Sequence, residues 1–322
     1  MTQNKREIKA PNDFKYDFIK LAPLMGGISL LLTIVSVILI LTKGFNYGID
    51  FAGGTEIQVK FEQAVTAEQL RAALVEAKVG DPTVQAFGGH SEFLIRLGLP
   101  EGSTDNEKNQ ALNASIDRVK ATLASTFSLK PEGVLRVDTV GPQVGSELKK
   151  NGLLAAFYCF LVILIYVSIR FDYAYAPGAV LCLVHDSVLT LGLFSILGRE
   201  VNVQIMAAVL TLIGYSLNDT IVTFDRIREK GPESKGKSLG YVINKAINDM
   251  LGRTVLTMGT TLGACLGLYL YGGGVIEDIA FTLIVGIVVG TYSSIYVAAP
   301  LIMVMDKFTP AAALPHGEAT PA

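Results

Sequence analysis

Residues 214–230 read GYSLNDTIVTFDRIREK, and the first half of that stretch lies inside an apolar run that begins near Val203. An Asn-Asp pair is costly there, because a charge at the centre of a bilayer costs roughly 2.5 to 3.5 kcal/mol on insertion scales. The second half, DRIREK, has the character of a segment leaving the bilayer. Arg226, Arg228 and Lys230 end the apolar run and mark the side of the membrane it faces. Whether 203–224 crosses a membrane therefore decides how its neighbours are read.

The composition favours a membrane protein. Half of the 322 residues (50%) are apolar, the mean hydropathy is +0.44 and the formal net charge is -2. Six runs approach or exceed the ~20 residues that span a bilayer at a rise of about 1.5 Å per residue. They lie at 21–41, 153–169, 176–197, 203–224, 255–271 and 279–305. The first is long for a signal-peptide core and no Ala-x-Ala site follows it, so it reads as an uncleaved anchor.

Orientation follows from the basic residues of the short segments. Lys5, Arg6, Lys9, Lys15 and Lys20 precede the first run, Arg170 follows the second, and Arg226, Arg228, Lys230, Lys235, Lys237 and Lys245 follow the fourth. If the six helices alternate in direction, these all fall on one face, opposed only by Arg199. Both termini are therefore expected in the cytoplasm. The division is an arm at 1–20, a first helix at 21–41, an extracytoplasmic insert at 42–150, helices two to six within 151–308, and a Pro- and Ala-rich tail at 309–322 expected to be disordered.

The insert alternates between strand and helix periods. Strands are expected at 56–61, 83–87, 92–97 and 134–140, with a turn at Gly88-Gly89. Helices are expected at 67–78 and 107–127, the second placing Leu112, Ile116, Val119 and Leu123 on one face. The order βαββαβ is that of an α+β ferredoxin-like unit. The fold class is thus an all-α six-helix membrane bundle carrying an extracytoplasmic ferredoxin-like domain.

Several chemistries are disfavoured. Cys159, Cys182 and Cys265 lie in apolar runs, which suggests neither disulfides nor a metal site. A near-neutral charge gives no reason to expect nucleic acid, and no Gly-Lys-Ser/Thr phosphate loop is present. No cofactor is expected. His90, His185 and His316 are scattered with no nucleophile and base around them, so the chain does not read as an enzyme.

What remains is a concentration of polar groups inside the apolar runs. The third carries His185-Asp186, the fourth Asn218-Asp219-Thr220, and Arg253 opens the fifth. In Asp219, desolvation opposes ionisation while a nearby Arg253 favours it, a balance suited to a carboxylate that loads and unloads a proton. A static Asp-Arg or Asp-Asn pair joining helices is the alternative. Asp186 fits either a relay or a hydrogen-bonded helix contact. Thr254, Thr257 and Thr261 share a face of the fifth helix and would hydrate a proton path or pack closely. Gly259, Gly263 and Gly267 on that helix, and Gly286, Gly290 and Ser294 on the sixth, form small-residue ladders. Gly48, Gly53 and Gly54 before the insert, with Gly141 and Gly145 after it, read as hinges.

Five motifs together resemble the SecF-type members of the SecD/SecF protein-export family: GIDFAGGT (48–55), VGPQVGSEL (140–148), HDS (185–187), GYSLNDTIVTFDRIRE (214–229) and RTVLTMGTTL (253–262). The resemblance implies a multi-pass protein of the bacterial inner membrane that uses the proton-motive force to help an unfolded polypeptide across. It implies SecD, the SecYEG translocon and other translocase accessory membrane proteins as partners. Asp219 and Arg253 fall on the family's charged positions implicated in ion conduction. The fourth-helix motif also resembles resistance-nodulation-division exporters, which commonly have Asp-Asp where this chain has Asn218-Asp219. A second titrating group, if needed, then comes from Asp186 or from SecD. Such exporters are built from two halves, so this chain is expected to supply half of a pseudo-symmetric twelve-helix unit. A small-molecule or lipid exporter of that superfamily is the alternative, disfavoured by the small size of the insert.

Overall fold

The computed structural model describes residues 15–87, 91–99, 104–171, 175–234 and 236–306. Lys5, Arg6, Lys9, the Gly88-Gly89 turn, His90, Lys235 and the tail at 309–322 lie outside the described residues. Among the described residues, six helices are long and apolar enough to cross a membrane. They are α1 (Phe18–Thr42), α5 (Pro142–Arg170), α6 (Ala176–Leu197), α7 (Val203–Glu233), α8 (Leu239–Tyr271) and a last span formed by α9 (Gly274–Ser293), a π-helical stretch (Ser294–Ala298) and α10 (Ala299–Met305).

Three helices outrun their apolar cores. α5 begins at Pro142 rather than 153, α7 continues to Glu233 rather than 224, and α8 begins at Leu239 rather than 255. Hydropathy marks only the part that needs lipid, whereas a helix stops where its backbone groups find caps. At α8 the cap is Ser238, whose side chain accepts from Tyr241 N. The polar extensions of α7 and α8 meet, and Asp249 takes Arg226 at 3.1 Å, Lys245 at 3.3 Å and Lys230 at 3.6 Å. Asn244 and Asn248 of α8 also hold the chain entering α1, accepting from Phe18 N at 2.8 Å and Tyr16 N at 2.9 Å.

The helices are unequally buried. In α6, 44% of the apolar window is inside the chain, against 11% in each of α1, α5 and α8. The membrane core is accordingly built on α6 and α7, where Leu183, Phe194, Ile205, Phe224 and Ile227 are fully enclosed. α9 lies against α6, α7 and α8. Its small residues permit this: a Cβ on Gly286 would run into Leu212 of α7, and one on Gly290 would come within 3.1 Å of Ser216. By contrast, a Cβ on Gly259, Gly263 or Gly267 of α8 would meet nothing within 4 Å.

The insert contains a short helix α2 (Ile49–Ala52), then β2 (Gly54–Lys60), α3 (Ala67–Glu76), β3 (Thr83–Ala86), β4 (Glu92–Leu97), α4 (Asp105–Phe127) and β5 (Val134–Val140). The strands form one antiparallel sheet in the order β3-β4-β2-β5. α3 and α4 start from capping boxes, Thr66 with Gln69 and Thr104 with Glu107, each satisfying two otherwise free backbone donors. The period-2 pattern of β2 turns Ile57 and Val59 inward beside Ile95, where Leu70 and Leu74 of α3 and Val119 and Leu123 of α4 cover them.

A second, two-stranded pairing ties insert to bundle. β1 (Asn46–Tyr47) runs parallel to β6 (Glu200–Val201) in the α6–α7 connection. Arg96 of β4 reaches across to Glu200 and also holds Glu56 at 2.6 Å. Asp50 accepts from Val203 N at 3.1 Å at the start of α7. Strands of two residues carry no readable periodicity, so this seam is visible only in three dimensions.

Candidate functional site

The polar groups inside the bundle converge on the place where α6, α7, α8 and α9 meet. Asp219 of α7 accepts from Ser294 Oγ at 2.6 Å through Oδ2 and from Thr254 Oγ1 of α8 at 3.4 Å through Oδ1. Asp186 of α6 is 1% exposed. Its Oδ2 accepts from Ser216 Oγ of α7 at 2.5 Å and from Ser293 Oγ of α9 at 2.9 Å. Its Oδ1 lies 2.8 Å from His185 Nδ1, and His185 Nε2 lies 2.5 Å from Ser29 Oγ of α1. Ser29, Ser216, Ser293 and Ser294 are all buried.

The local reason for this convergence is spacing. Ser216 precedes Asp219 by one helical turn, so both lie on the face of α7 that looks into the bundle. Ser293 and Ser294 are consecutive and point to different neighbours, and α9, wedged between α6 and α7, gives each serine its own carboxylate. The π-helical stretch starts at Ser294, and such widened turns recur at functional sites. A carboxylate so placed has left water, and hydroxyl donors compensate the loss.

The five residues singled out for an ion pathway do not all share this core. Asp219 and Asp186 do, linked through adjacent serines. Asn218, Arg253 and Thr257 are exposed on the outer surfaces of α7 and α8. Asp219 takes its described hydrogen bonds from serine and threonine rather than from Asn218, and among the described residues its carboxylate has no ion pair with Arg253. The backbone carbonyl of Thr257 accepts from Tyr215 Oη at 3.4 Å. Ser29, Ser216 and Ser293 were not legible as site residues. A buried serine in an apolar helix reads as a small packing residue, and only its aim separates the two roles.

The glycines read as hinges gather at one joint. Gly54 pairs opposite Val140 across β2 and β5, so the entry and exit of the insert run side by side. Gly53 ends α2 with φ 74°, and Gly54 has φ 127°, where a Cβ would also collide with the Leu97 carbonyl. Gly145 is not in a loop but inside α5, where a Cβ would come within 3.2 Å of Gly53 N. Gly141 caps α5, and Gly48 lets the backbone pass Glu200.

Comparison with known proteins agrees with this architecture. A family profile described as "Protein export membrane protein SecD/SecF, C-terminal" matches residues 118–308, and one described as "SecD/SecF GG Motif" matches 38–65. The chain is 43% identical over 298 residues to the protein translocase subunit SecF of Calditerrivibrio nitroreducens, covering 92% of this chain and 96% of that one. It is 45% identical over 278 residues to the subunit of that name from Magnetococcus marinus, covering 86% and 88%. The crystal structure of SecDF from Thermus thermophilus, described as a translocon-associated membrane protein, superposes with a TM-score of 0.79 at 35% identity. That match covers 92% of this chain, which spans 40% of the solved SecDF chain.

Proposed function

The chain belongs to the SecD/SecF family of protein-export membrane proteins, and from that premise we propose that it is an accessory subunit of the Sec protein translocase. With SecD it draws on the proton-motive force to help an unfolded polypeptide from the SecYEG channel across the bacterial inner membrane. Asp219 is the proton-loading carboxylate. The observation that carries this is its half-buried place between α7, α8 and α9, where its described hydrogen bonds come from hydroxyls, beside an α8 surface where Arg253, Thr257 and the Gly259-Gly263-Gly267 ladder face outward. SecD covers that surface, completes a twelve-helix unit and turns Arg253 to modulating Asp219.

The insert is a ferredoxin-like domain outside the cytoplasm, a reading supported by the β3-β4-β2-β5 order with both helices on one face. The excess of Lys and Arg in the segments on the opposite face supports cytoplasmic termini. The domain swings about the joint of Gly48, Gly53, Gly54, Gly141 and Gly145 as Asp219 changes charge. One charge moved through a potential of about 150 mV supplies roughly 3.5 kcal/mol, enough to bias a two-state motion. The test is Asp219→Asn in a reconstituted complex with SecD and SecYEG. Loss of ion-driven export is expected, and export at the wild-type level overturns the reading.

A further inference from the structure

We propose that Asp186 and His185 form a second proton-binding site in this chain, coupled to Asp219 by the serine pair 293–294. The proposal rests on the reading of Asp219 as a proton-loading group and extends it to a site that the open face of α8 does not touch.

Each serine has one proton and two competing acceptors. Ser293 Oγ lies 2.9 Å from Asp186 Oδ2 and 3.0 Å from the Gly290 carbonyl. Ser294 Oγ lies 2.6 Å from Asp219 Oδ2 and 3.0 Å from the Thr291 carbonyl. A charged carboxylate accepts the hydroxyl proton. A protonated carboxyl has lost the charge that strengthens this bond, and the serine turns its proton to the competing carbonyl of α9. Each hydroxyl thus registers the charge of its own carboxylate in the hydrogen bonding of the same turn, where α9 passes into the π-helical stretch. Ser216 supplies a second link, donating to Asp186 from one turn before Asp219 on α7.

The proton balance is simple. His185 Nε2 takes a proton from the Ser29 side while Nδ1 passes its own to Asp186 Oδ1. The imidazole ends neutral with its tautomer exchanged, and Asp186 ends as the neutral acid. The groups around Asp186 permit this without a competing cation. On α6 they are His185 and Cys182, whose thiol lies 3.2 Å from Ser293 Oγ. α1 presents the Ser29 hydroxyl, α7 Ser216 and, one turn on, Asp219, and α9 Tyr292, whose hydroxyl donates to the Met25 carbonyl at 2.6 Å. Among the described residues no Lys or Arg pairs with Asp186.

The test uses the complex of the full chain with SecD. Infrared difference spectra across a pH step read protonated carboxyls directly. In Asp219→Asn a protonated-carboxyl band is expected to remain and to vanish in Asp219→Asn/Asp186→Asn. Identical spectra for the two overturn the second site. Because Asp186→Asn alone disturbs a buried network, Ser293→Ala provides an independent reading. It is expected to shift the Asp186 band and lower proton-driven export about tenfold, the loss of roughly one charged hydrogen bond. Ser187→Ala, a buried α6 serine bonded to its own helix at Leu183 O, is the control expected to do neither. An unshifted band and unchanged export in Ser293→Ala overturn the coupling. If Asp219→Asn abolishes ion-driven export while these signals are absent, the second site alone fails. If Asp219→Asn exports normally, the underlying reading fails.

Discussion

Asp186 is 1% exposed and receives Ser216, Ser293 and His185 from its own chain. Asp219, on the next helix, takes one short hydrogen bond from Ser294 and one long one from Thr254. The polar residues around it, Asn218, Arg253 and Thr257, look away from the bundle. The two small-residue ladders divide in the same way. Cβ atoms on the α9 glycines would meet Leu212 and Ser216 of α7, whereas Cβ atoms on the α8 glycines would meet nothing within 4 Å. One side of the chain is thus closed by its own fold and the other is open, so damage to the two sides should be read by different measurements.

The largest effect is expected at Asp219. Asp219→Asn should remove the dependence of export on the ion gradient altogether while the complex with SecD still copurifies, measured as precursor translocation into proteoliposomes with and without the gradient. Next come the ladders, where Gly286→Leu and Gly263→Leu offer a direct contrast. Gly286→Leu drives a side chain into Leu212 and should cost about 1 to 3 kcal/mol or more of the chain's own stability, seen as a lower unfolding temperature. Gly263→Leu should leave the unfolding of the isolated chain unchanged and reduce the SecD recovered with it. Equal destabilisation by both would erase the distinction between the two sides.

A smaller effect is expected where the insert meets the bundle. Gly54→Ala places a Cβ at φ 127° and against the Leu97 carbonyl, with a strain cost on the order of 1 to 3 kcal/mol. It should be detected as faster proteolysis of the insert with the membrane helices intact. The smallest concerns Thr254→Val, since a hydroxyl at 3.4 Å is a marginal donor. It should alter ion-driven export less than Ser294→Ala, which removes a 2.6 Å bond. The reverse ranking would place the functional contact of Asp219 on α8 rather than α9.

Much of this is legible in the sequence because it is local. Run length and hydropathy give six spans, and period-2 and period-3.6 patterns in the insert place Ile57 and Val59 or Leu112 and Val119 on buried faces. The starts of α5 and α8 lie outside the apolar runs because Glu147, Lys149 and Lys150 of α5, and Asn244, Lys245, Asn248 and Asp249 of α8, interrupt the membrane signal. β1 and β6 were missed because two residues have no period. In the site, Asp186 and Asp219 stood out as charges in apolar runs. Among the described residues Asn218 gives the Asp219 carboxylate no hydrogen bond and Arg253 no direct ion pair, because adjacency in sequence rotates a side chain by about 100° on a helix and a neighbouring helix can present either face.

The sequence by itself determined that the chain crosses a membrane, that charged groups are buried within it, and where small residues let helices approach. Those properties depend on residue type and spacing along one helix. Only the tertiary structure decided that the ladder of α9 is closed and that of α8 open, and that Ser216, Ser293 and Ser294, with His185 and Thr254, supply the hydrogen bonds of the two carboxylates. Both ladders carry the same spacing, and a serine is equally small in either role. Their difference lies in which helix packs against which face, a long-range choice set by the burial of α6 and α7 at the centre of the bundle.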